Sequence, residues 1–113
     1  MMRRTWNEFL QRYPLLLMPA SCRLPQPWGA DLGTVDQMRE LIAAQSPLIA
    51  VAALGLPGIS VPTGMSGGLP IGVQLVADSY REMRLLYAAS IVERDALAET
   101  ALDYTVNEPF GQN

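Results

Sequence analysis

Residues 55–77 read GLPGISVPTGMSGGLPIGVQLVA. Six glycines and three prolines stand here among β-branched residues. A phosphate cradle needs its glycines between a strand and a helix N-terminus, where free amides and the helix dipole meet the anion. These glycines lie between two apolar runs that read as strands, Ile59–Pro62 and Ile71–Ala77. The segment also lacks the GxGxxG spacing and the lysine of a P-loop. A hairpin accounts for each piece: Gly55 ends a preceding helix, and Gly64, Gly67 and Gly68 sit in an eight-residue connection, Thr63 to Pro70, that needs positive φ angles. On the second strand Ile71, Val73 and Leu75 share one face while Gly72, Gln74 and Val76 share the other. Both faces are largely apolar, so this strand belongs inside a covered sheet.

Upstream, Trp6, Phe9, Leu10 and Tyr13 fall at helical spacing, which predicts a helix from Thr5 to Tyr13 that Pro14 stops and whose aromatic stripe joins the core. Leu15–Pro19, LLLMP, reads as a strand buried on both faces. The aperiodic stretch after it is a loop that Trp28 is expected to pin to the body. Thr34-Val-Asp-Gln37 has the form of a capping box and opens a helix to about Gln45. Ser46-Pro47 reads as a second helix start, with Ser46 as N-cap; the helix that follows, LIAVAAL, has no polar face and is expected to be buried all round. Ser79-Tyr-Arg-Glu82 reads as another capping box, opening a helix from Tyr80 to about Asp95. Leu85, Ala88, Ala89 and Val92 form one stripe of that helix, suited to the sheet. Met83, Tyr87 and Ile91 form a second stripe on nearly the opposite side. The residues from about 104 to 113 are expected to fray. The order of elements makes one α/β domain over residues 1–113, a small mixed sheet of about three strands covered by helices.

Composition narrows the function. The sequence has no histidine and no lysine, which removes Ser-His-Asp and Cys-His machinery, Ser-Lys pairs and Schiff bases. No carboxylate spacing resembles a calcium loop, so neither a metal site nor a cofactor site is expected. The net charge is −3 and the basic residues are scattered, which argues against a nucleic-acid partner. The most apolar stretch, Leu41 to Val61, is too interrupted to span a membrane. A single cysteine, Cys22, and the lack of a targeting segment fit the cytoplasm. Half of the residues are apolar and only 17% are charged, below the usual ~25%. A chain of this size has more apolar surface than it can hide, so a partner is expected: a second copy in a two-fold dimer, or a larger parent body.

The ordered motifs resemble the C-terminal part of the amidase signature family. Residues 55–86, GLPGISVPTGMSGGLPIGVQLVADSYREMRLL, are similar to the family's GLPAISVP, short glycine turn, GLPVGLQLVG and acidic helix start followed by LL. Residues 6–19, WNEFLQRYPLLLMP, resemble its WxxFFxxYDxLLTPT, and residues 43–62 resemble its TxPFNLTGLPAISVP. The resemblance covers about Trp6 to Val92 and implies a fragment of a larger amidase-signature fold. It further implies amide hydrolysis by a Ser–cis-Ser–Lys triad in the complete enzyme, and the motifs carrying that triad are not among those found here. No catalytic residue is therefore carried over. Two positions are expected to border the substrate pocket of an assembled enzyme: Pro19, within Met18-Pro19-Ala20 where the family has TPT, and Thr63, which follows Ile59-Ser-Val-Pro62. The expected partners are a second copy or a separate N-terminal amidase segment. The alternative is a non-catalytic oligomerisation or interaction module derived from an amidase.

Overall fold

The structure is a computed structural model that describes residues 2–99. Helix α1 spans Met2–Arg12, strand β1 Leu16–Pro19, helix α2 Val35–Ala44, helix α3 Ser46–Leu54, strand β2 Gly58–Ser66, strand β3 Leu69–Val76 and helix α4 Glu82–Glu99. A single 3₁₀ turn, Ala30–Leu32, interrupts the loop before α2. The strands form one sheet in the order β1-β3-β2, so β3 is central, as its two apolar faces require. Both ladders are antiparallel, where a mixed sheet was expected. The hairpin fixes one pairing, and β1 runs opposite to the strand beside it.

The hairpin is tighter than its glycines suggested. The strands continue through the expected eight-residue connection and turn on Gly67 and Gly68 alone. Their φ angles are 58° and 78°, and two positive φ values in succession are what a two-residue type I′ turn demands. Pro62 pairs with Gly72 and Gly64 with Ile71, which leaves Thr63 as the extra residue of a β-bulge. At that point the backbones come so close that a Cβ on Gly72 would lie 2.6 Å from the Val61 carbonyl oxygen.

Helices cover the sheet on both faces. On one, Leu75 and Val61 pack with Ala77, Leu85 and Ala89, so the expected stripe of α4 is the one that docks. On the other, Val76 packs with Leu10 of α1, Val51 of α3 and Leu56. The second cluster is secured by the end of α3. Gly55 adopts the left-handed conformation (φ 62°) and its N–H donates to the Ala52 carbonyl, while the Leu56 N–H donates to that of Val51. This pair of bonds is a Schellman motif, and its usual apolar contact is made by Val51 and Leu56. The capping box of α2 is complete: the Gln37 N–H donates to Thr34 Oγ1 at 3.3 Å and the Thr34 N–H to Gln37 Oε1 at 2.8 Å.

Several expectations are corrected. Ser46 is the first residue of α3 rather than its N-cap; Gln45 holds that place because α2 and α3 nearly abut. The second capping box does not form. The Arg81 N–H donates to the Asp78 carbonyl, closing a turn in which Tyr80 has φ 63°, so α4 begins only at Glu82. Trp28 pins nothing and is fully exposed. Of the aromatic stripe on α1, Leu10 is buried and Trp6 half-buried, but Phe9 and Tyr13 face outward, their ring centroids 5.0 Å apart and the rings tilted by 40°. β1 is an edge strand with Leu17 exposed, not a strand buried on both faces. In α3 only Val51 is buried, and Leu48 and Ile49 are exposed. The second stripe of α4 is bare, Met83 at 77% and Tyr87 at 72% exposure. The misses over burial share one form: an apolar pattern predicts burial, and among the described residues these side chains are left uncovered. The expected frayed tail, 104–113, lies outside the described residues.

Candidate functional site

Pro19 and Thr63 lie at the same end of the sheet but are not brought together. Pro19 ends β1 opposite Val73, and Thr63 bulges from β2 between the pairs formed by Gly72 and Ile71. β3 runs between them, so two strand spacings, roughly 10 Å, separate their backbones. Pro19 is exposed and Thr63 half-buried. They mark opposite margins of one end of the sheet.

A concavity beside that end is built from other residues. Immediately after β1 the chain is clipped to the last turn of α2: the Cys22 N–H donates to the Ala44 carbonyl at 2.8 Å, and Ser21 Oγ donates to the same oxygen at 3.4 Å. The clip holds residues 20–26 away from the start of β3 and leaves a cleft of about 310 Å³, bordered by Ser21, Arg23, Gln45 and the Pro70–Gly72 backbone. A second cleft of about 370 Å³ continues from it along α2, past Gln26, Gln37 and Glu40. Arg23, Gln26 and Leu41 border both. Arg23 Nη1 lies 3.3 Å from Glu40 Oε2, both side chains more than half exposed, a pair worth about 0.2–1 kcal/mol. The groove thus offers amide donors and acceptors and a guanidinium paired with one carboxylate. Sequence reading missed it because the loop has no periodicity; the legible signal was the pair Ser21-Cys22 directly after a strand, two small residues able to bond a helix end.

The chemistry available is limited. The only hydroxyl in the groove bonds a backbone carbonyl, and the sequence contains no histidine or lysine to activate it. Among the described residues, no group of three or more His, Cys, Asp or Glu side chains could hold a metal ion, and no helix is long and apolar enough to cross a membrane. The one buried polar side chain described is Gln74 on β3, between Met18 and Ser60, whose Oε1 accepts no hydrogen bond. Among the described residues, the arrangement offers a concave surface lined with hydrogen-bonding groups.

Comparison with known proteins agrees with the motif order. The family model described as Amidase matches residues 1–86. Over 94 residues the chain is 37% identical to an indoleacetamide hydrolase of Bradyrhizobium japonicum, covering 82% of this chain and 20% of that protein. It is 39% identical over 92 residues to one subunit of the glutamyl-tRNA(Gln) amidotransferase of Lactococcus lactis, covering 77% and 18%. The crystal structure of the corresponding amidotransferase subunit from Thermotoga maritima superimposes with a TM-score of 0.58 at 27% identity, covering 99% of this chain and 21% of that one. The chain therefore spans about a fifth of the length of these relatives.

Proposed function

The chain belongs to the amidase family, and from that premise we propose that it supplies the C-terminal scaffold of an amide hydrolase and carries no catalytic centre of its own. One observation carries this reading: the 113 residues contain no lysine, and a lysine is the base the resemblance implies for the family. In the complete enzyme the reaction is acyl transfer from an amide to a serine and then to water, without a cofactor. This chain's part is to extend the sheet and to present the Pro19–Thr63 end and the Arg23–Gln45 cleft as pocket wall. The test is hydrolysis of a panel of small primary amides, indoleacetamide among them, by the purified chain. No turnover above a mock preparation is expected; turnover that follows the chain through further purification overturns the reading.

A second reading is favoured by the bare stripe Met83, Tyr87 and Ile91: an interaction module that assembles with its own kind. Its signature is a dimer at micromolar concentration that Tyr87→Glu dissolves.

A further inference from the structure

The two edges of the sheet are unlike, and the difference assigns them different fates. β2 reads as a true margin. Ile59 and Val61 face the α4 side, where Val61 is buried and Ile59 packs beside it, while Ser60 on the opposite face is exposed. That alternation suits a strand covered on one face only. β2 also carries Pro62, which lacks an N–H, and the bulge at Thr63, both devices that discourage a further strand. α4 leans over this edge: Leu86, Ala89, Ser90 and Glu93 border a cleft with Ile59–Pro62.

β1 has none of this before its last residue, Pro19. Its sequence, Leu16-Leu-Met-Pro19, is apolar on both faces, the pattern of an interior strand, yet its outer side has no neighbour among the described residues. No charge and no bulge guards it before Pro19. The covering layer stops short as well. Leu16 and Met18 pack under α1 and α3, but Leu17 and Pro19, on the α4 face, are exposed, Leu17 at 57%. At 100° per residue, Ile91 lies on the flank of α4 opposite to Leu86 and Ser90, therefore on the β1 side, and it too is exposed. Both the ladder and the helix layer break off at the same place.

We infer that β1 is the seam at which this chain joins the rest of an amidase fold: a strand of the partner pairs along β1, and an apolar segment of the partner covers Leu17 and the Ile91 flank of α4. The occupant is the remaining four-fifths of an amidase and not a second copy, because the same fold is found within a Thermotoga chain of which it makes up 21%, at TM-score 0.58. The inference rests on the scaffold reading above and adds to it which edge, and which face, the partner takes.

The experiment co-expresses the full chain with the Bradyrhizobium hydrolase from which the matching fifth has been removed, and follows amide hydrogen exchange. The outward-pointing amides of Leu16–Met18, those not bonded to β3, should exchange freely in the chain alone and slow by about tenfold or more in the complex. Leu17→Lys should weaken co-purification about tenfold, while Ser60→Lys on β2 should leave it unchanged. A complex protected along β2 and not β1 overturns the seam and leaves the scaffold reading standing. Failure to form any complex counts against both. Protection of β1 in the chain alone, rising with its concentration, assigns the seam to a second copy and overturns the stated occupant.

Discussion

The β2–β3 hairpin and helix α3 adjoin one another in the chain and are finished to different degrees. Everything the hairpin needs lies within it: two left-handed glycines at the turn, a bulge at Thr63, and a glycine where the backbones nearly touch. α3 is complete only in its backbone. Its C-terminal carbonyls are satisfied by the Schellman bonds, but of the side chains in Ser46–Leu54 only Val51 is buried. Backbone geometry is decided locally, and the local sequence is all here. Side-chain burial is decided by whatever body the helix is packed into, and among the described residues α3 is covered on the Val51 side alone.

Substitutions probe this contrast. The largest effect is expected at the hairpin. Gly72→Ala places a Cβ against the Val61 carbonyl and the Pro62 backbone, neither of which can swing aside, and should destabilise the chain by about 3 kcal/mol in denaturant unfolding. Next comes the inward side of α3. Val51→Ala removes two buried methyl groups from the cluster with Leu10, Leu56 and Val76 and should cost about 2 kcal/mol. Gly68→Ala asks an L-residue to hold φ 78° and should cost about 1 kcal/mol, and Gly68→Asn less, since asparagine tolerates that region. The smallest effect belongs to the outward side of α3. Ile49→Gln should shift the stability of the isolated chain by no more than about 0.5 kcal/mol. A loss at Ile49 comparable to that at Val51 would mean that α3 is covered within this chain after all, and the contrast would fail.

The same division explains what was legible in the sequence. The Thr34–Gln37 box, the Gly55 cap and the two faces of β3 were readable because each depends on neighbours a few residues away or on a period of two. β1 and α3 were misjudged because an apolar pattern predicts burial without specifying what provides it, and Trp28 because a large aromatic in a loop carries no period that says which way it faces. The capping box at Ser79 failed because Tyr80 turns left-handed and separates the serine from the helix. Of the site, Pro19 and Thr63 came from the motif resemblance alone. The Arg23–Gln45 cleft was hidden because it arises from one tertiary clip, Cys22 and Ser21 on the Ala44 carbonyl, that no periodicity announces.

If another body of amidase fold completes this surface, sedimentation velocity of the chain purified with the truncated Bradyrhizobium hydrolase should reveal it. The expected result is a single one-to-one species in which the 12.3 kDa chain no longer sediments by itself. A well-folded 12.3 kDa monomer, unchanged by the presence of that partner, would contradict it.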